Sequence, residues 1–280
     1  MKFLKVILLI LIFIGTERFC HYQTKGFAIS KIISNLPHRS DWEVSPLSQE
    51  EHSFLENILN QKFIFLGGGG SFYAFASEDQ NYVIKFFKMH HLNPIPRLRP
   101  YIGPILDRHK KRERVFDSCK FAYNDLKEET GVIYIHLNKT KGLHKNIIIV
   151  DNLGIEHSIP LDSIEFVVQK KAVLAPEYIA GLMKSGRPDL AKDALKSVWH
   201  LMESIIKKGY DGRDMNVATN FGFINGKAVQ IDIGPFKKAN WVKARNFYKN
   251  RLYRSARKLD LWLQETYPEL SKHFEEKAHN

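Results

Sequence analysis

An Asn-Gly pair between two short apolar runs constrains the fold of this chain more than any other feature. Residues 221–224 read as one strand and residues 227–231 as the returning strand, with Asn225-Gly226 as the tight turn between them, because Asn-Gly is a strong hairpin signal. Three oxygen-bearing side chains flank this hairpin: Asp214, Asn220 and Asp232. The sequence therefore predicts two carboxylates and an amide beside one hairpin.

These three side chains are of the kind that binds magnesium. Carboxylate and amide oxygens are hard ligands, and Mg²⁺ keeps waters and nucleotide phosphates in its remaining positions. Phosphoryl transfer is the reaction that needs such a set. Asp, Asn and Gly are also ordinary turn formers, so the stretch alone fits a plain turn equally well. The rest of the chain has to distinguish the two.

The stretch Lys208–Phe236 resembles the catalytic loop of the protein-kinase-like superfamily, which reads His-Arg-Asp, then Asn, and then Asp-Phe-Gly after a hairpin. In this chain Gly212 takes the place of the His. The resemblance implies roles for three residues: Asp214 as the base that accepts the proton of the attacking hydroxyl, Asn220 as a metal ligand and Asp232 as the main metal ligand.

Two registers of this loop remain open. The step from Asp214 to Asn220 is one residue longer than the family pattern, whereas Asp211 and Asn216 have the usual spacing. We prefer Asn220 because it stands at the start of the hairpin, at about the kinase distance from Asp232. Asp211 remains the second candidate for the base.

A glycine-rich turn lies upstream, where residues 62–87 read as strand, turn, strand, polar turn and strand. Glycines let backbone N–H groups approach phosphates, and a Lys on the last strand would reach the same phosphates as a point charge. The run 68–72 is similar to the Gly-rich loop of the family. The resemblance implies four nucleotide ligands: Gly68, Gly70, Ser71 and Lys85. Tyr73 replaces the third glycine, and four glycines in a row also suit a flexible tether.

Other family elements appear in the expected order. A charged helix over 107–129 would carry the Glu that pairs with the strand Lys, and the resemblance implies Glu113, with Asp117 as the alternative. Three more strands are predicted, at 131–137, 145–150 and 163–168. In the hinge that follows, at 169–172, the resemblance implies that the backbone at Lys170 meets an adenine edge. An amphipathic helix then delivers the chain to the catalytic loop.

The N-terminus reads as a targeting segment. Lys2 and Lys5 precede an uncharged apolar run at 6–14, which matches a secretory signal. No small-residue cleavage site follows, so an uncleaved signal-anchor is the alternative, and we expect a membrane-associated or secreted protein. The chain is divided into a signal peptide or signal-anchor (1–23), a linker (24–47) and a kinase-like domain (48–280), with an N-lobe over 48–172 and a C-lobe over 173–280.

The charge of the chain favours acidic partners. A net charge of +12 and a pI near 9.5 suit nucleotide phosphates, anionic lipid or an acidic protein. Residues 233–280 are too few for the activation segment and the full helical subdomain of eukaryotic kinases. They read as one long helix over 241–264, whose basic side would suit an anionic membrane surface.

Together these features predict an α+β, two-lobed protein-kinase-like fold with a strand-rich N-lobe and a reduced helical C-lobe. We expect a phosphotransferase that moves the γ-phosphate of ATP, with Mg²⁺, to a hydroxyl acceptor, whether a protein, a sugar or a small molecule. The alternative from another class is a nucleotide-binding pseudokinase that acts as a binding or scaffold module, which Gly212 and Tyr73 favour. A basic nucleic-acid-binding protein is a third hypothesis that rests on charge alone, so nucleic acid is not an expected partner.

Overall fold

The computed structural model describes residues 2–92, 108–212, 216–234, 236–238 and 245–279. The helices are α1 (Lys2–Gln23), α2 (Gln49–Leu59), α3 (Met89–Leu92), α4 (Arg108–Asn124), α5 (Lys127–Thr130), α6 (Ala175–Lys184), α7 (Pro188–Lys207), α8 (Val217–Asn220), α9 (Arg245–Thr266) and α10 (Pro268–His279). The strands are β1 (Phe63–Gly68), β2 (Phe72–Ser77), β3 (Tyr82–Phe87), β4 (Val132–His136), β5 (Asn146–Val150), β6 (Glu156–Pro160), β7 (Phe166–Lys170), β8 (Val173–Leu174), β9 (Tyr210–Gly212), β10 (Phe221–Ile224), β11 (Lys227–Gln230) and β12 (Phe236–Lys238). A strand-rich sheet with helices makes the fold α+β, as predicted.

The Asn-Gly hairpin forms as the sequence predicts. Strands β10 and β11 pair antiparallel with Ile224 opposite Lys227, so that the turn has two residues. Both turn residues adopt positive φ, 49° at Asn225 and 80° at Gly226, which is the conformation that favours Asn-Gly in two-residue hairpins. Strand β8 pairs with β10 on its other side and completes a three-stranded sheet.

The chain divides into two compact units. Unit 1 comprises residues 1–109 and 136–168, and unit 2 comprises residues 110–135 and 169–280. Unit 2 contains the three-stranded sheet, the two-stranded sheet of β9 and β12, and the helices from α5 to α10. Helix α4, which the sequence analysis assigns to the N-lobe, belongs almost entirely to unit 2.

The large sheet has the strand order β4-β7-β3-β2-β1-β5-β6. Strands β1, β2 and β3 form an antiparallel meander, and β1 pairs with β5 in parallel. Its core is rich in fully buried aromatic side chains, among them Phe63, Phe75, Phe86 and Phe166. The sequence does not predict β6, because Glu156–Pro160 contains a single interior apolar residue, Ile159, and so lacks the alternation of a half-buried strand.

The segment 24–47, expected to be a linker, is packed against the strands of unit 1. Three of its apolar side chains are buried, Phe27, Ile32 and Trp42, and so is Ser34. The centroid of the Phe27 ring lies 5.2 Å from those of Tyr73 and Phe75. The apolar residues of this segment are too far apart in sequence to produce a periodic signal, which is why the pattern indicates a linker.

Helix α1 is exposed along its whole apolar length. Lys5–Gln23 is the one helix in the described part of the chain that is long and apolar enough to cross a membrane, by length and composition, and none of it is buried. A signal sequence near the N-terminus meets the same criteria. The helix therefore fits both forms of the expected segment, the signal peptide and the signal-anchor.

Two buried histidines meet in the core of unit 1. His136 Nδ1 lies 3.0 Å from the Ile164 carbonyl oxygen and its Nε2 lies 3.2 Å from Oγ1 of Thr140. The ring centroid of His144 lies 5.1 Å from that of His136. Burial lowers the pKa of His136, and burial together with the charge of His136 lowers the pKa of His144 to about 4. Both rings are therefore neutral in the folded chain near pH 7.

We expect this pair to make the fold acid-sensitive. An unfolded His titrates near its ordinary value of about 6.5, so between that pH and about 4 the unfolded chain binds protons that the folded chain does not. Stability is thus complete above pH 6.5 and is lost as the pH falls towards 4. The free energy of unfolding of the wild type should fall between pH 7 and pH 4.5, and that of His144→Gln should fall by about 2 kcal/mol less. Urea unfolding at the two pH values measures both changes.

The matched control is His200→Gln on α7, whose side chain is largely exposed. This variant should keep the pH dependence of the wild type. If His144→Gln and His200→Gln follow the same pH profile, the buried pair does not set the acid sensitivity.

Candidate active site

The residues of the predicted catalytic loop lie on short elements of unit 2. Asp211 lies on β9, Asn216 directly precedes α8, Asn220 ends α8, and Asp232 follows β11. Strand β9 pairs antiparallel with β12, which places Asp211 opposite Lys237. Asp211 is therefore held beside the segment that follows Asp232.

Backbone hydrogen bonds join both asparagines to the hairpin. The N–H of Asn220 donates to the carbonyl of Asn216 (2.8 Å), and the N–H of Ile231 donates to the carbonyl of Asn220 (2.8 Å). Ile231 directly precedes Asp232. The hairpin thus brings the backbone of this carboxylate next to the short helix that Asn216 precedes and Asn220 ends.

The two asparagine side chains differ in their hydrogen bonding. The Oδ1 of Asn216 is buried and has no hydrogen-bond partner among the described residues. The Oδ1 of Asn220 instead accepts a hydrogen bond from the Thr219 hydroxyl (3.0 Å) in an exposed position. A buried polar oxygen without a partner is rare in native proteins, and a bound ion is one explanation for it. The oxygen of Asn216 is therefore the better placed to coordinate a cation.

Asp232 begins a hydrogen-bonded turn. Its Oδ1 accepts a hydrogen bond from the N–H of Gly234 (3.0 Å), and its carbonyl accepts one from the side-chain amide of Gln230 (3.0 Å). Gln230 is fully buried. These bonds hold the direction of the carboxylate at the start of Asp232-Ile233-Gly234.

Ser118 on helix α4 holds the residues after Asp232. Its buried hydroxyl donates to the carbonyl of Ile233 (2.5 Å) and accepts a hydrogen bond from the N–H of Phe236 (2.6 Å). The sequence analysis does not single out this residue. The signal that could have found it is a small polar side chain on the apolar face of a helix, three positions after Val115.

A partly buried ion pair holds the start of β9. Lys208 Nζ lies 2.8 Å from Oε1 of Glu129, which also accepts a hydrogen bond from the Ser204 hydroxyl (2.6 Å). Burial alone would raise the pKa of Glu129, but the hydrogen bonds from Lys208 and Ser204 keep it below its ordinary value. The Tyr210 hydroxyl donates to Asp125, and burial together with this bond raises the pKa of Tyr210. These contacts fix the strand that carries one candidate base.

The structure describes only one of the two candidate bases. Asp211 is 7% exposed and lies within β9. Asp214 lies outside the described residues. Its role therefore stays a prediction.

The Gly-rich turn forms the tip of the β1–β2 hairpin in unit 1. The N–H of Gly69 donates to the carbonyl of Phe72 (3.0 Å), which closes the turn. A Cβ would have open space at Gly69 and Gly70, whereas at Gly68 it would lie 3.1 Å from the ring of Tyr73. The tightest approach in this turn is therefore at Gly68, where the ring of Tyr73 occupies the adjacent space.

Lys85 lies on the strand next to this hairpin, as predicted. It pairs with Ala74 of β2 and is half-buried. At the end of the same strand, the N–H of Lys88 donates to the carbonyl of Ser71 (2.8 Å), and Lys88 Nζ lies 4.4 Å from the centroid of the Tyr73 ring. Unit 1 thus places the Gly-rich turn beside a second cation, Lys88, which the sequence analysis does not identify.

Two further predicted ligands lie in unit 2. The carboxylate of Glu113 lies 3.3 Å from Nη2 of Arg112. Lys170 ends β7, and its N–H donates to the carbonyl of Gly131 (2.9 Å). The N–H of Lys170 is therefore already hydrogen-bonded, and an adenine base at the hinge would have to bind other backbone groups. The pairing of Glu113 with Lys85 stays a prediction, since the two residues belong to different units.

The donors present in unit 2 fit a magnesium ion. No group of three or more His, Cys, Asp or Glu residues that could hold a metal occurs in the described ranges. A site of the kinase type does not need one, because it uses one Asp and one Asn together with phosphate oxygens and water. The buried Oδ1 of Asn216 and the carboxylate of Asp232 are hard oxygens of these two kinds.

No family model and no curated protein matches the chain. The chain does match several solved structures. The bifunctional kinase-methyltransferase WbdD is 16% identical over 75% of this chain and 43% of its own, with a TM-score of 0.36. The ROP18 kinase domain is 14% identical over 68% and 62%, with a TM-score of 0.34. Rv3197 from Mycobacterium tuberculosis, in a complex with erythromycin, is 14% identical over 76% and 60%, with a TM-score of 0.32.

The WbdD protein and the ROP18 domain are described as kinases, and the sequence motifs predict a kinase-like fold for this chain. The chain spans less than half the length of the WbdD chain. With TM-scores and identities this low, the likenesses carry no argument about activity, which has to rest on the chain's own residues.

We expect Ser118→Ala to destabilise unit 2. The substitution removes one buried hydroxyl and leaves the carbonyl of Ile233 and the N–H of Phe236 without their partner. Unsatisfied buried groups of this kind cost about 1–3 kcal/mol each, so the free energy of unfolding should fall by about 2 kcal/mol or more in urea titrations.

Ser185→Ala is the matched control, because this exposed serine donates to carbonyls at the end of α6 and accepts from the Arg187 side chain two residues on, all within its own stretch of chain. Its effect should stay within about 0.5 kcal/mol. An equal effect of the two substitutions would mean that Ser118 does not hold the segment after Asp232.

Proposed function

We propose that this chain is an ATP-dependent phosphotransferase that moves the γ-phosphate to a hydroxyl acceptor with Mg²⁺. The observation that carries the proposal is the buried Oδ1 of Asn216, which has no partner among the residues the structure describes. Asn216 follows Asp211 at the family spacing, and the hairpin after it leads back to Asp232. An available oxygen at the position of a family metal ligand supports a cation site.

In this proposal Asp211 is the base for the acceptor hydroxyl, and Asn216 and Asp232 are the metal ligands. The assignment reverses the preference drawn from the sequence, because the side-chain oxygen of Asn220 already accepts a hydrogen bond whereas that of Asn216 does not. Asp214 remains the alternative base, with Asn220 as its metal ligand.

The proposed nucleotide ligands follow the resemblance. The backbone of the turn that contains Gly68, Gly70 and Ser71 would approach the phosphates, and Lys85 would balance their charge. Glu113 keeps its proposed role as partner of the strand Lys, and the hinge at Lys170 would meet the adenine edge through groups other than the Lys170 N–H. Magnesium, when bound, supplies the positive charge that stabilises the transferred phosphoryl group.

The location of the protein is proposed from α1. A helix whose apolar face is wholly exposed to solvent is unfavourable unless a membrane or a targeting receptor covers it. We therefore propose membrane association or secretion, as the sequence suggests. The basic side of α9, where Arg254, Arg257 and Lys258 are exposed, would add a weak, salt-sensitive attraction to anionic lipid.

Tyr73 supports a second candidate function, a nucleotide-binding pseudokinase. Its ring occupies the space beside Gly68 that a third glycine would leave open, and the ammonium group of Lys88 lies over that ring. A pseudokinase of this kind would bind nucleotide without turning it over. A phosphotransferase would release ADP and a pseudokinase would not, so ADP release distinguishes the two candidate functions.

The test compares Asp211→Asn with Asp214→Asn in the full chain, in detergent, with ADP release from Mg·ATP as the readout and water as the hydroxyl that accepts the γ-phosphate. We expect wild-type turnover, and we expect Asp211→Asn to lower it by about 10²–10⁴-fold, because the amide keeps the shape of the carboxylate but cannot accept the proton. Asp214→Asn should lower turnover by less than about tenfold.

Asp189→Asn on α7 serves as the control, since this exposed carboxylate lies outside the proposed site. Asp232→Asn should abolish turnover in either register. A large loss in Asp214→Asn alone would restore the rival register. If the wild type binds nucleotide but releases no ADP, the pseudokinase hypothesis is right and the phosphotransferase hypothesis is wrong.

A further inference from the structure

Helix α1 enters unit 1 through a defined cap and not through a flexible tether. Lys25 and Gly26 both have positive φ, 49° and 73°, and the N–H of Gly26 donates to the carbonyl of His21 (2.9 Å). A Cβ at Gly26 would lie 2.8 Å from the His21 ring, so glycine is required here. A left-handed residue pair closed by such a bond is a common way to end a helix.

The residues after the cap contact side chains on strands β1 and β2. The carbonyl of Gly26 accepts hydrogen bonds from the Tyr73 hydroxyl and from Lys31 Nζ (2.6 Å). Phe27 is buried, and its ring centroid lies 6.0 Å from that of Phe65 and 5.2 Å from that of Phe75. The C-terminal end of α1 is therefore held in a fixed position on unit 1.

The turn between β5 and β6 contacts the same end of α1. The side-chain amide of Asn152 donates to the carbonyl of Gln23 (2.6 Å). The two following aliphatic side chains of the turn point largely into solvent, with Leu153 50% and Ile155 51% exposed. An exposed apolar pair thus follows directly on the residue that contacts the last turn of the exposed apolar helix.

Hydrogen bonds hold this turn in one shape. Asp151 Oδ1 accepts hydrogen bonds from the N–H groups of Leu153 (2.8 Å) and Ile155 (3.0 Å), and Asp151 Oδ2 lies 2.8 Å from Nε2 of His157. The backbone N–H of Asp151 also donates to the carbonyl of Ile155 (3.0 Å). The backbone of the turn is therefore held in place, with Leu153 and Ile155 half-exposed next to the residue that contacts α1.

The end of α1 has the composition of a membrane interface. Phe19 and Tyr22, one helical turn apart, are exposed, and Lys25 Nζ lies 4.4 Å from the centroid of the Tyr22 ring. Tyr and Lys are enriched where a helix leaves the bilayer. The 22 residues of α1 rise about 33 Å at 1.5 Å per residue, and Glu17 and Arg18 separate its apolar run from Tyr22. Charged side chains avoid the hydrocarbon core, so Tyr22 would lie on the headgroup side of these two charges.

We propose that the β5–β6 turn is a second membrane contact, in which Leu153 and Ile155 enter the interface of the bilayer that holds α1. The hydrogen bond from Asn152 to Gln23 places the turn at the level of Tyr22, and the lipid interface is the surface that both apolar groups share. This inference rests on the proposed membrane location and is independent of the proposed phosphotransfer.

The test attaches an environment-sensitive fluorophore to single cysteines in the full chain, reconstituted in phosphatidylcholine vesicles that contain a lipid with a shallow nitroxide quencher. The background is Cys20→Ser, since Cys119 is buried. Leu153→Cys reports on the turn. Leu143→Cys is the matched control, because Leu143 is 41% exposed and precedes the opposite end of β5. Phe13→Cys, within the apolar run of α1, reports on insertion of the helix.

We expect the label at 153 to lose more than half of its fluorescence in quencher-containing vesicles and the label at 143 to keep nearly all of it, with the label at 13 showing insertion. If the label at 13 is protected from water but the label at 153 is not quenched, the helix is an anchor and the proposed second contact is wrong. Equal quenching at 143 and 153 would also overturn it, because the domain would then lie on the vesicle without a preferred face. Exposure of the label at 13 to water would refute the membrane location itself.

Discussion

The hydrogen bond from the N–H of Ile231 to the carbonyl of Asn220 is the contact on which the candidate active site depends. It sets where the chain returns after the β10–β11 hairpin, and the two positive-φ residues Asn225 and Gly226 fix that return. A register slip of one residue would turn every side chain of β11 to the other face. It would also carry Asp232 away from the turn that holds the two asparagines. The local geometry of a two-residue turn thus determines whether a carboxylate and an amide can act together.

Three supports then hold this arrangement inside unit 2. Strand β9 pairs with β12, Ser118 bonds to both sides of the segment after Asp232, and the Lys208–Glu129 pair fixes the approach to β9. Each support joins positions far apart in the sequence. Within this well-bonded frame the buried oxygen of Asn216 has no partner among the described residues. The buried Oε1 of Gln230, two residues before Asp232, also has no hydrogen-bond partner among these residues. Available polar oxygens of this kind are what a ligand site requires and what a structural core avoids.

The sequence predicts the parts of this structure that depend on local chemistry. The Asn-Gly hairpin and the meander β1–β3 follow from turn residues and apolar alternation over short spans. It does not predict the packing of 24–47, strand β6 or the role of Ser118, because these arise from contacts between distant segments with no periodic pattern. The sequence also leaves Asn216 and Asn220 open as metal ligands, because spacing in sequence does not say which amide oxygen is already hydrogen-bonded.

The central claim, that Asn216 and Asp232 bind the metal that accompanies the nucleotide, is tested most directly by thermal unfolding of the full chain with ATP in the presence and absence of Mg²⁺. A ligand at about a hundred times its Kd stabilises a protein by about 2.7 kcal/mol, which a melting curve resolves. The account predicts that Mg²⁺ adds to the stabilisation by ATP in the wild type and in Asn220→Ala, and that this increment disappears in Asn216→Ala. An unchanged increment in Asn216→Ala, or its loss in Asn220→Ala alone, would contradict it.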